Sequence, residues 1–260
     1  MERTTLSKPG GTGAFAYGII CYGVFLGVFV YAVGFIGGFL TPTKLDGPAT
    51  RPFWQALAID LGLLGLFAIQ HSVMARPAFK RWWTRFVPEA VERSTYVLFS
   101  SLALVASFAW WQPMGGIVWD ATGAVRSILI ALYLLGWALL LYTTFLIDHF
   151  DLFGLKQVWR RLRGSPYVPP QFYTPSLYKV VRHPLYVGWL TIFWAAPTMT
   201  VAHLVFALAT TAYILIAIRF EERDLVDAFG ERYVSYRRTT PMLIPRLWRR
   251  SPPTGKLVGS

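Results

Sequence analysis

Long apolar runs alternate with short basic ones along this chain. Residues 14–40 are 27 positions without a charge, where about 20 suffice to cross a hydrocarbon core of roughly 30 Å. Further apolar runs at 53–75, 94–113, 126–147, 185–199 and 200–218 make six predicted membrane segments. The first is too long and too glycine-rich for a cleaved signal peptide. The fifth has only 15 residues, about 22 Å of helix, so with Pro197 near its end it reads as one arm of a tight helical hairpin with 200–218. The sequence after Ile218 mixes charges with Gly230, Pro241 and Pro245 and predicts short helical turns folded back on the bundle. The expected fold is all-α, a polytopic membrane helix bundle in a single domain spanning 1–260, with a cytoplasmic C-terminal tail. No internal repeat is visible.

Composition agrees: 55% of residues are hydrophobic and 17% aromatic, above the range of a soluble domain. The net charge of +12 is distributed between the apolar runs. Loop 76–93 holds five Lys and Arg, the stretch 148–184 six and the tail from Arg219 nine, against two at 41–52 and none at 114–125. This alternation follows the positive-inside rule and predicts both termini and the two basic loops in the cytoplasm. The partner it implies is the lipid bilayer; a nucleic-acid binder gathers its cations on a soluble reading module. Cys21 stands alone inside the first segment, which leaves no disulfide framework.

Polar groups within or at the ends of membrane helices are costly, so each raises a functional question. Asp60 lies mid-segment, either as a hydrogen-bonded tie between helices or as part of a site. Gln70 and His71 close the same segment, Asp148 and His149 close the fourth, and Arg182 with His183 open the fifth. Three of the four histidines are thereby predicted on one membrane face, while His203 falls at the opposite end as a surface residue. Local metal-ligand spacing such as HExxH or CxxC is absent, no serine sits in a G-x-S-x-G elbow, and the "GGTG" at 10–13 follows no strand. A hairpin returns the chain to its starting side and brings "RHPLYVG" (182–188) near "EERDLVDAFGERYVSY" (221–236). Paired carboxylates with cationic and aromatic neighbours suit a zwitterionic, cationic cofactor, or make an ordinary interfacial ion-pair cluster.

The combination "RHPLYVG", "EERDL", "FGERYVSY" and "PMLIP" resembles the C-terminal signature of the membrane methyltransferases related to isoprenylcysteine carboxyl methyltransferase and the phospholipid N-methyltransferases. The resemblance implies an S-adenosylmethionine site within 176–245, lined by His183, Tyr186, Gly188, Glu221 and Glu222 and braced by Arg182, Tyr233, Tyr236 and Arg237. "QHSVMARPAFKRWW", "ERSTYVLFSSL" and "DHFDLFGLKQVW" extend the likeness to the bacterial methanethiol S-methyltransferases, from about residue 54 to 245. That branch implies methyl transfer to a small thiol, methanethiol, giving dimethyl sulfide at the bacterial inner membrane, with no metal and no obligate protein partner. A buried thiol is harder to ionise, so a base or cation must offset burial; His71, His149 and Arg182 are the catalytic candidates. A prenylcysteine or lipid acceptor is the alternative enzyme reading. A non-catalytic carrier with Asp60 and the histidines along its pathway is the alternative outside enzymes, although carriers commonly show the paired repeats missing here.

Overall fold

A computed structural model describes residues 10–246. Helices stand at all six apolar runs: α1 (Gly11–Gly37), α2 (Phe53–Ala75), α4 (Glu89–Trp110), α5 (Gly123–Leu146), α8 (Pro184–Trp194) and α9 (Val201–Phe229). Short helices α3 (Pro77–Trp83), α6 (His149–Leu152), α7 (Leu155–Leu162) and α10 (Glu231–Thr239) lie at the basic end of the bundle. Four helices, α1, α2, α5 and α9, are long and apolar enough to cross a membrane. α4 is long as well but carries Ser94, Thr95, Ser100, Ser101 and Ser107 on its buried side. Several of these hydroxyls donate to the carbonyl one turn back, as Thr95 does to Val91 at 2.9 Å and Ser107 to Ala103 at 3.0 Å. A helix can therefore carry them inward at little cost, while its hydropathy falls.

Proline sets several boundaries. Arg76, ahead of Pro77, is extended and ends α2, as the steric clash with the proline ring demands. Pro184 occupies the first turn of α8, where no amide hydrogen is needed. The expected hairpin differs in detail from the structure. α8 spans 11 residues, about 16 Å, and stops before Pro197. The chain then runs extended as β2 (Thr198–Thr200), pairing antiparallel with β1 (Ile117–Asp120), so the fold is not purely helical. This ribbon closes the end of the bundle opposite the basic loops.

α9 does not end at Ile218 as hydropathy suggested but continues to Phe229, and Gly230 at φ 56° breaks it. Its 29 residues make roughly 43 Å of helix, so the last turns pass beyond the hydrocarbon thickness. α5 and α8 pack extensively against each other. There a Cβ on Gly188 would lie 3.1 Å from the Leu140 amide nitrogen, and one on Gly136 would lie 2.8 Å from Ile192. Small residues allow the backbones to approach, the usual device where lipid offers no hydrophobic drive between helices. Gly188, expected in the cofactor site, thus faces α5.

Two polar residues far from the basic end are hydrogen-bonded to neighbouring elements. Asp60 is fully buried, and its Oδ1 accepts the Gln112 amide at 2.9 Å, tying α2 to the end of α4. His203, expected on the surface, is 2% exposed. Its ring contacts Asp46 Oδ2 at 3.0 Å and the Phe193 carbonyl at 3.1 Å, while Thr200 donates to Asp46 and caps α9. Hydropathy could not foresee this, because the loop before α2 folds inward and delivers Asp46 to the helix start.

Candidate cofactor and acceptor site

Glu221 and Glu222 stand about 30 Å along α9 from Val201, where the hydrocarbon layer ends. Adjacent helical residues point about 100° apart, so the two carboxylates meet different partners. Glu222 faces the start of α8: its Oε1 accepts from Arg182 Nε at 2.7 Å and from His183 Nε2 at 3.0 Å. Arg182 Nη1 donates to the carbonyls of Arg237 and Thr240. The backbone amides of Arg182 and His183 donate to Pro241 and Met242 at 2.8 and 3.2 Å. The closing "PMLIP" segment is thereby stitched to "RHP", and Arg182, a catalytic candidate by sequence, lies within this network.

Glu221 is the open carboxylate. Its side chain is 42% exposed against 11% for Glu222. Tyr186, one turn into α8, donates to its Oε2 at 2.9 Å, and His183 Nδ1 lies 4.0 Å from its Oε1. Behind the pair, an open cleft of about 340 Å³ is lined by Arg219, Glu222, Arg223, Val226 and Arg237. On the other flank Phe172 packs edge-on against Tyr233 and Tyr236, which pins the irregular segment before α8 over α10. Burial, then the charges of Glu222 and Glu221, push the Tyr233 phenol up; its buried hydroxyl has no partner among the described residues. Burial raises Tyr236 to about 12, and its hydroxyl donates to the Tyr178 carbonyl.

These groups fit a zwitterionic cofactor bearing a cationic centre. The arginine-lined cleft suits a carboxylate, Glu221 suits an amino or sugar hydroxyl group, and the orphan Tyr233 hydroxyl awaits a polar atom.

The other candidate histidines are held separately. His71 stacks on Phe67 with centroids 5.1 Å apart and hydrogen-bonds Tyr96 and Ser100 of α4. Next to it Ser72 meets Tyr213 of α9 at 3.2 Å. His149 is 4% exposed and surrounded by Phe145, Phe150 and Phe153. Its Nε2 meets Tyr22 and its Nδ1 meets Thr144, both at 2.8 Å, which leaves neither nitrogen free. Burial holds its imidazole below the usual histidine range. Asp148 pairs with Lys156. The three histidines therefore share one end of the bundle without forming one cluster. Tyr22, Tyr96 and Tyr213 escaped sequence reasoning; the only signal was a phenol inside an apolar run, which must find a partner once buried.

The fold and site define a polytopic helical membrane protein with a polar cluster of carboxylates, arginines and tyrosines at its basic end. A methanethiol S-methyltransferase of Crocosphaera subtropica is 54% identical to the chain, over 96% of this chain and 99% of that one. One of Mycobacterium tuberculosis is 51% identical over 88% and 94%, and nurim of Sus scrofa is 33% identical over 69% and 75%. No family model matches, and no solved structure does. The chain belongs to the methanethiol S-methyltransferase family.

Proposed function

We propose that this chain transfers the methyl group of S-adenosylmethionine to methanethiol, giving dimethyl sulfide, as a multi-pass enzyme of the bacterial inner membrane. The observation that carries the reaction is the nearly full-length kinship with proteins named for it. A prenylcysteine or lipid acceptor, or a carrier, is not favoured beside it. The charge alternation supports six membrane crossings with both termini cytoplasmic.

S-adenosylmethionine, when bound, supplies a methyl already activated on a sulfonium. What remains for the protein is to bind, orient and favour the thiolate. Glu221 and Tyr186 would hold the cofactor's polar groups, Arg219, Arg223 and Arg237 its carboxylate, and Tyr233 one further polar atom. His183, Glu222 and Arg182 fix the positions of these groups through the bonds to "PMLIP". A small apolar cluster of Met74, Tyr96 and Val97, with Phe25 and Phe153 against it, offers a wall suited to a methylthio group.

The test is headspace detection of dimethyl sulfide from cells expressing the chain and fed methanethiol, with vector-only cells as baseline. No product above that baseline, from protein shown to be in the membrane, refutes the assignment. Reporters inserted near residue 85 and 120 test the topology: inside for the first, outside for the second.

A further inference from the structure

Resting on the thiol-methylation reading, we propose that Tyr96 is the group that receives the acceptor's S–H proton, held for that task by the chain Ser100–His71–Tyr96. Ser100 Oγ donates its only hydrogen to the Tyr96 carbonyl at 2.9 Å. It can then only accept from His71 Nδ1, 3.1 Å away, which fixes His71 with its proton on Nδ1. The Tyr96 hydroxyl lies 2.8 Å from Nε2 and 3.1 Å from Nδ1. Nε2 is the nearer nitrogen and the one left with a lone pair, so Tyr96 donates there. With its hydrogen committed, the phenol oxygen offers only lone pairs to a further partner.

The surroundings say what that partner is. Tyr96 belongs to the small cluster with Met74 and Val97, apolar and separate from the main core. Tyr213 of α9, about two turns before Glu221, meets Ser72 next to His71 at 3.2 Å, so the Tyr96–His71 pair packs against the helix that carries the open carboxylate. The Arg93 guanidinium lies 5.0 Å from the Tyr96 ring centre, a cation–π contact that holds the ring in place. Tyr96 therefore stands where an apolar wall meets the cofactor-side polar groups, a place for a small thiol. In the step, the S–H bond breaks and its proton passes to the Tyr96 oxygen as the Tyr96 proton passes to His71 Nε2. The electron pair left on sulfur is the nucleophile, and the imidazolium releases its proton to water after transfer. A thioether has no S–H to offer, so the same contact separates substrate from product. Ser100 is a positioning residue, acting through His71.

The experiment compares purified wild type with Tyr96→Phe, Ser100→Ala and Ser100→Thr. Tyr96→Phe is expected to lower kcat with methanethiol by about a hundredfold at pH 7, to leave S-adenosylmethionine affinity within about twofold by calorimetry, and to recover toward pH 9 as free thiolate rises. Ser100→Ala is expected to lose about tenfold and Ser100→Thr to restore it, since threonine keeps the hydroxyl. With ¹⁵N-labelled histidine, His71 is expected with its proton on Nδ1 in wild type and in a mixture of tautomers in Ser100→Ala. Full kcat in Tyr96→Phe, a loss that does not depend on pH, a parallel loss of cofactor affinity, or a proton on Nε2 of His71 would each overturn the proposal. A wild type that binds S-adenosylmethionine but methylates no thiol would instead overturn the assigned reaction, and the tautomer measurement, which needs no substrate, would still decide the geometry.

Discussion

The adjacent glutamates of α9 should fail in different ways when their charges are removed. Glu222→Gln strips the partner from Arg182, whose side chain is 10% exposed, and weakens the bond from His183. Breaking a buried pair on one side costs about 3–5 kcal/mol because the remaining charge is left without compensation. Solvent screening discounts this little at such burial. A loss of roughly 3 kcal/mol corresponds to a fall in unfolding temperature on the order of 6–12 °C. Glu221→Gln removes a carboxylate that is 42% exposed and, among the described residues, hydrogen-bonded to Tyr186 alone. Its stability cost should stay below about 1 kcal/mol. If Glu221 meets the cofactor directly, one charge-assisted hydrogen bond of about 1.5–3 kcal/mol is lost, at least tenfold in affinity. Thermal unfolding followed by tryptophan fluorescence and calorimetric titration with S-adenosylmethionine read the two effects separately. Equal stability in both variants would refute the brace, and unchanged affinity in Glu221→Gln would refute its contact with the cofactor.

Three further outcomes follow from the packing. Gly188→Val should destabilise by about 1–3 kcal/mol through overpacking against the Leu140 backbone, measured by thermal unfolding; a neutral result would mean α5 and α8 are not in this contact. Asp46→Ala should leave His203 buried beside an empty site and cost about 1–3 kcal/mol, whereas Asp46→Asn retains part of the bonding; equal unfolding temperatures for the two would count against the network. His149 is held neutral, its affinity for protons lower folded than unfolded. Its contribution is therefore complete above the unfolded value of about 6.5 and declines as pH falls below it. His149→Asn should flatten the stability curve between pH 5 and 7, and an unchanged slope would show that another group titrates there.

The elements that sequence made legible are those with a local signal. Apolar runs located the six helices, and Pro77 and Pro184 located two helix boundaries. α8 illustrates the limit: hydropathy continued through Ala195, Ala196 and Met199, yet the backbone turns extended at Pro197 because β1 waits across the bundle. α9 illustrates the converse, since its apolar run stops at Ile218 while helix formation does not require apolar residues. In the site, the pairing of "RHP" with "EER" was foreseeable because a hairpin returns the chain to its origin. The division of labour between Glu221 and Glu222 was not, because it depends on which way each side chain leaves α9. Nor was the separation of His71 from His149, which depends on partners from α4 and α1 that no local pattern announces.

Asp60 offers the sharpest separation between an enzyme and a conduit. In a carrier, a carboxyl mid-helix would serve the pathway, and its ionisation would matter. Here its Oδ1 holds the Gln112 amide at 2.9 Å, beyond the last turn of α4, and 11 residues of helix, about 16 Å, separate it from His71. A tie of this kind needs an acceptor oxygen but no charge. Asp60→Asn should therefore retain both stability and dimethyl sulfide formation, since the amide oxygen still accepts. Asp60→Leu should leave the Gln112 amide unpaired and cost about 1–3 kcal/mol, with turnover per folded molecule unchanged. Measuring unfolding temperature and specific activity together decides the matter. Loss of turnover in Asp60→Asn at wild-type stability would give the carboxyl a chemical task that its bond to Gln112 does not explain, and the far end of the bundle would have to be part of the reaction path.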